Sequence, residues 1–220
     1  MAFGEVGTSL SKIKANSLNL AGTYGFSGTV TGFDDTPLVL LTESSISAGT
    51  ANVDFTSNIN STYKEYLFIF NNIHVTTNGE ATFGFQVSTN GGTSYGVSCQ
   101  STMISNFNNE VGDSNGFIHY NGGALDTSTD TQIFTSGGNG NDNDQCVSGL
   151  LKLYNPSSTT FQKHFASMAC NYQDSDYING DYVMGYFNTT SAINAVRFIP
   201  GRLSAATNLD DGVIQMFGVS

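Results

Sequence analysis

The chain has 220 residues, 39 % of them apolar and only 11 % charged, against a usual charged share of about 25 %. A chain of this length can bury roughly 70 % of the surface its unfolded form exposes, so it needs no metal or disulfide staple to hold a core. Seven Lys and Arg against eighteen Asp and Glu leave a formal charge of −11, with no two basic residues nearer than Lys12 and Lys14, which argues against nucleic-acid binding.

The first 36 residues differ from the rest. Leu10, Ile13, Leu18 and Leu20 are isolated apolar points in a Ser, Asn and Lys background, and Gly22, Gly25, Gly28 and Gly32 follow, too close together to sustain a helix. The spacing predicts an N-terminal attachment arm over 1–36 and one β-sandwich domain over 37–220. Met-Ala-Phe-Gly-Glu is neither a charged nor an apolar leader, and no apolar run approaches eighteen residues. The expectation is a soluble chain with no export signal and no membrane insertion.

From Thr36 onward, short β-branched and aromatic runs alternate with Gly, Asn, Asp and Ser clusters. Twelve strands are predicted, over 38–43, 51–56, 64–75, 81–88, 97–104, 116–120, 132–135, 146–154, 160–170, 181–187, 195–199 and 213–219. Twelve short strands without a useful 3.6-residue period give an all-β fold, an antiparallel jelly-roll-like sandwich. The 64–75 run is the centre of the pattern. Tyr66, Phe68 and Phe70 fall on one face and Leu67 and Ile69 on the other, so the strand is expected to be covered on both sides. Other runs have one wet face: Leu151 and Leu153 oppose Lys152 and Tyr154. Asn78-Gly79 has the residues of a two-residue hairpin turn, which predicts that 66–75 and 81–88 pair as antiparallel neighbours. Two polar stretches, 106–115 and 136–145, read as long loops.

Candidate sites are few. Gly92-Thr93-Ser94-Tyr95-Gly96 matches a nucleophile elbow in letters, but a strand pattern follows it where the elbow needs a helix. Asn139, Asn141, Asp142 and Asp144 offer hard oxygen ligands in a candidate Ca²⁺ loop; the EF-hand spacing and its closing Glu are missing, and an exposed acidic turn is the simpler reading. Asp210-Asp211-Gly212 reads as a turn. His74, His119 and His164 lie far apart, each within a strand run, and read as structural residues. Cys99, Cys146 and Cys170, an odd number at no metal-ligand spacing, read as small buried hydrophobes in a reducing cytosol. Tyr172, Tyr177, Tyr182 and Tyr186 cluster with Asp174, Asp176 and Asp181, which suits a subunit interface or sugar stacking. No catalytic, cofactor-binding or metal residue is assigned, no cofactor is expected, and the chain reads as non-enzymatic.

Several segments resemble a known family. Lys12-Ile13-Lys14-Ala15-Asn16-Ser17-Leu18-Asn19-Leu20, continuing to Gly32, is similar to the opening of fibre-like virion structural proteins of tailed bacteriophages of marine bacteria. Tyr63-Lys64-Glu65-Tyr66, Leu153-Tyr154-Asn155-Pro156, Phe187-Asn188-Thr189-Thr190 and the terminal Gly212-Val213-Ile214-Gln215-Met216-Phe217 resemble segments of the same proteins. The resemblance brings no site residues with it. It implies a virion part, assembled in the host cytoplasm, without distinguishing tail from head; with a short arm before a single sandwich, the expectation is the tail-fibre or appendage type. A homotrimer is expected, with Leu10, Ile13, Leu18, Leu20, Tyr24 and Phe26 anchoring the arm to other virion proteins or neighbouring subunits. Tyr172, Asp174, Asp176 and Tyr177, with the two long loops, are the host-facing candidates. Alternatives are a capsid decoration (cement) protein on the phage head and, from another class, a carbohydrate-binding module for host surface glycan.

Overall fold

The computed structural model describes residues 37–79, 82–112, 122–201 and 207–219, and the backbone of 119–120. The predicted arm and its six anchor residues lie outside the described residues. Within them the chain is all-β, with strands β1 (Leu38–Ser45), β2 (Val53–Phe55), β3 (Glu65–Val75), β4 (Phe83–Ser88), β5 (Cys99–Asn109), β6 (His119–Tyr120), β7 (Gln132–Ile133), β8 (Val147–Tyr154), β9 (Lys163–Tyr172), β10 (Tyr177–Phe187), β11 (Ala195–Pro200) and β12 (Leu209–Val219). They form an eight-stranded sheet, β1-β12-β3-β8-β9-β10-β5-β6, and a four-stranded sheet, β2-β11-β4-β7. Every strand pair is antiparallel.

The pairing is nested. β1 pairs with β12, β2 with β11, β3 with β8 and β4 with β7, and successive pairs fall alternately in the large and the small sheet. The remaining four strands, β9, β10, β5 and β6, extend the large sheet beyond β8.

Strand alternation explains why the sheets pack. Tyr66, Phe68 and Phe70 point inward from β3 and are fully buried. Across the gap Phe68 meets Phe55 and Phe198 edge-on or tilted at 5.4 Å, and Phe70 meets Phe83 at 5.5 Å and Phe134 at 4.7 Å. Such pairs add about 0.5–1.5 kcal/mol each beyond their buried area. Beyond β8, Phe165 and Phe187 continue the core and meet Phe85 at 5.1 and 5.9 Å. The buried Tyr66 hydroxyl is satisfied locally, donating to the Asn60 carbonyl at 3.0 Å and accepting from the Asn60 N–H at 2.9 Å.

Four expectations need correction. β3 and β4 are not neighbours: they lie in different sheets, and residues 76–79 cross between them. The φ angle is positive at Gly79 (83°) but not at Asn78, so the tight turn that would pair the strands does not form. Two strands with strongly apolar faces bury more surface facing each other across the core than lying side by side. Second, 106–109 is not loop but the end of β5, paired with 177–180 of β10. Its polar side chains hid the strand, whose ladder rests on backbone hydrogen bonds. Third, Asp210-Asp211-Gly212 lies inside β12 as an irregularity, with register shifts on both sides of Asp211. Gly212 has φ 120° there, and a Cβ on it would stand 2.9 Å from the Asn72 carbonyl oxygen. Fourth, the cysteines are not all buried: Cys99 is, Cys146 is half-buried, Cys170 is exposed, and none is in a disulfide.

Candidate functional site

Pairing in register aligns side chains into rows on the outer face of the large sheet, the face turned away from the core. One row runs Gln215, Ile69, Leu150, Met168, Tyr182, Ile104 across β12, β3, β8, β9, β10 and β5. The next runs Leu40, Phe217, Leu67, Lys152, Ala166, Met184, Thr102, starting from β1. Eight large apolar side chains are exposed among the described residues, and six of them, Leu38, Leu40, Met168, Ile178, Tyr182 and Met184, stand on this face. Met168 is 45 % and Tyr182 48 % exposed. β3 was expected to be covered on both sides. Its outer side chains Leu67 and Ile69 are instead only half-buried, and belong to these rows.

The face is not flat. A hollow of about 470 Å³ is lined by apolar Ile69, Leu150, Met168 and Tyr182 and by polar Asn71, Asn106 and Ser148 among others, and a second of about 220 Å³ by Leu150, Ala166, Met168, Tyr182 and Met184 among others. Met168 and Tyr182 line both and form the ridge between them. In these two rows and their edge the described charges are Glu43, which accepts from Gln215 Nε2 at 2.7 Å, and Lys152. Lys152 is neutralised by Glu65 in the row below, Nζ to Oε2 2.6 Å, and that hydrogen bond holds the lysine above its ordinary pKa.

The predicted host-facing residues do gather, at the β9–β10 turn. Tyr172 donates its hydroxyl to Asp176 Oδ1 at 3.4 Å, and the Tyr177 ring meets Phe107 edge-on at 5.6 Å. Partial burial and the carboxylates of Glu110 and Asp176 push the Tyr172 phenol up to about 12. Tyr182 and Tyr186 are not part of this group; they stand on the outer face, with Tyr186 donating to Gln100 Oε1 at 2.7 Å.

The candidate Ca²⁺ residues are split. Asn139 is buried and its Oδ1 accepts from Asn171 Nδ2 at 2.9 Å, whereas Asn141, Asp142 and Asp144 are exposed. No group of three or more His, Cys, Asp or Glu placed to hold a metal occurs among the described residues. The 92–96 segment is a turn: Gly91 and Gly92 have φ 70° and 86°, and Ser94 Oγ accepts from Asn90 Nδ2 at 2.9 Å. His164 packs beside Tyr186, and although only β8 separates its strand from that of His74, the two lie at opposite ends: Ile73 is level with Val147 and Asn171, whereas Phe165 is level with Leu153 and Tyr66.

His74 has a definite role. Its Nδ1 stands 2.7 Å from Asp210 Oδ1 and its Nε2 3.1 Å from the Asp142 carbonyl oxygen. Both neighbours are acceptors, so both bonds form only in the protonated ring. Burial acts to lower the His74 pKa, but Asp210, the Asp142 carbonyl and Asp211 outweigh it and raise it above 6.5. The contribution to stability is therefore full below pH 6.5 and lost as pH rises through the raised folded value. Thermal melting should show that fall in the native chain. A His74→Gln variant should lose the dependence over the same window, and an unchanged pH profile would refute this role of the protonated ring.

The sequence signal for the outer face was present but spread out. Met168, Met184 and Leu150 are single outward residues in separate strands, and only the register of five strands collects them. Comparison with protein-family models, curated proteins and solved structures finds no significant match.

Proposed function

We propose that this chain is a non-enzymatic structural subunit of a bacteriophage virion, of the tail-fibre or appendage type, built on a jelly roll. The nested order supports the fold reading: a two-stranded ribbon, outgoing through β1, β2, β3 and β4 and returning through β7, β8, β11 and β12, is wound so that successive pairs alternate between sheets. Jelly rolls of this kind serve viral capsids and lectins. The observation that carries the functional reading is the outer face of the large sheet. Large contiguous apolar patches on a soluble surface mark interaction sites, and this one has aligned apolar rows and few charges.

A glycan-binding role is less well supported by that face, because sugar recognition pairs an aromatic platform with hydroxyl partners. Between β3 and β5 its two central rows offer one tyrosine and no carboxamide, and the carboxamides of the face, Asn71 and Asn106, line the larger hollow beside that single ring. The β9–β10 turn, with Tyr172 and Tyr177, is the place for a host contact.

Immunogold electron microscopy of intact virions, with antibody raised against residues 37–220, tests the reading. Gold on the tail or on projecting fibres is the expected result. Even labelling of the head would make the chain a decoration protein, and unlabelled particles would overturn a virion role altogether.

A further inference from the structure

Resting on the reading of the outer face as an assembly surface, we infer that its occupant is the same face of a second copy of this chain, in a two-fold pair centred on Met168. Three observations carry this. The first is charge. A chain at −11 repels its own copy at most surfaces, and self-contact is favoured where net charge is absent. The central rows meet that condition, because their lysine is cancelled by Glu65 of the same chain.

The second is extent. Five strands from β3 to β5, two on either side of the Met168 strand, about 4.8 Å apart and about seven residues tall at roughly 3.4 Å each, span roughly 600 Å². That is the low end of what each partner of a standard protein–protein contact covers. The same packing already occurs inside the molecule, where the two sheets meet face to face through alternate side chains.

The third is shape. Met168 is the middle residue of the Ile69, Leu150, Met168, Tyr182, Ile104 row, and the ridge it forms with Tyr182 separates the two hollows. An axis in the plane of the contact, passing over Met168 obliquely to the row, sets the two Met168 side chains against each other and lays each copy's Tyr182 over a hollow of the other. Methionine is suited to this, being unbranched and able to fill irregular gaps. A single self-matching face closes at two copies, whereas a three-fold ring needs two different complementary patches. The pair therefore replaces the trimer expected from the sequence.

The test uses the full-length chain in light scattering after size exclusion. The native protein should run at twice its 23.4 kDa mass, and Met168→Glu, at a half-exposed position, should raise the concentration for half-association by about 100-fold or more. Circular dichroism and a cooperative thermal transition establish that the variant is folded, the loss of association alone lowering its melting temperature; if it is not folded, Met184→Lys takes its place. In a Cys170→Ser background, Met168→Cys should form an interchain disulfide under mild oxidation, because a residue on the axis meets its own copy. A pair that persists unchanged in the Met168→Glu variant and forms no crosslink would overturn the inference, and so would a native chain that stays monomeric at all concentrations. In that monomeric case, loss of Met168→Glu protein from assembled virions would still uphold the assembly surface, with another virion protein or the chain's own first 36 residues as occupant.

Discussion

Replacing Phe198 with Ala is expected to destabilise the sandwich by about 3–5 kcal/mol, the range found when a buried aromatic ring is deleted. Phe198 lies on β11, fully buried, and its ring stands within 5.4–6.4 Å of Phe55, Phe68, Phe70, Phe83 and Phe134. It thereby links β2, β3, β4 and the end of β7, and its loss opens a cavity that none of these strands can close without leaving its ladder. Phe198→Leu keeps most of the volume and should cost about 1–2 kcal/mol. Denaturant unfolding followed by fluorescence or circular dichroism measures both. A cost below about 1.5 kcal/mol for the Ala variant would show that the core does not close around this ring.

The second large effect is expected at Asp181, a fully buried carboxylate on β10. It accepts from the Ser105 hydroxyl on β5 and from the backbone N–H of Ser136 at 3.0 Å, so it ties the segment after β7 to the extended half of the large sheet. Nearby, Asn179 donates to Asn171 and Asn171 to Asn139, a chain of buried amides that holds the same segment. Asp181→Ala leaves buried donors without their acceptor, which should cost about 2–4 kcal/mol. Hydrogen exchange should quicken at the amides of 136–140 more than in β3 or β12. Asp181→Asn retains one accepting oxygen and should fall between native and Ala. Equal exchange across the whole domain would mean that Asp181 supports only global stability and not this local tie.

The role of Asp181 bears on how residues 136–145 are understood. Their composition reads as an exposed loop, and for 141–144 that holds. Asn139, Gly140 and Gln145 are buried nonetheless, because β9 and β10 reach past the small sheet and their inner face needs a cover. The segment supplies it with polar side chains, Asn139 Oδ1 accepting from Asn171 while Asn139 Nδ2 is buried without a partner. Local composition cannot tell such a loop from a solvated one, since both use Asn, Asp and Gly; the difference is what lies beneath.

Strand positions were legible because burial of one sheet face imposes a period of two, which survives in any single strand: all twelve predicted runs contain or overlap a strand of the structure. The inward aromatic residues of β3 and β4 were legible for the same reason. Boundaries failed where Asn and Gly dominate and the apolar residues are too few to show a period, Phe107 in 106–109 and Tyr177-Ile178 in 177–180, since backbone ladders leave no trace in side-chain type.

What the amino-acid sequence determined by itself, then, was the all-β class, the strands and the residues of the aromatic core, each a consequence of local alternation. Which strand lies beside which was decided only in three dimensions. Asn78-Gly79 pointed to a hairpin, and burial of Phe70 against Phe83 across the core prevailed over it. The outer face of the large sheet was decided there too. Ile69, Leu150, Met168, Tyr182 and Ile104 come from strands up to 113 residues apart, and they become one surface only when antiparallel register sets them side by side.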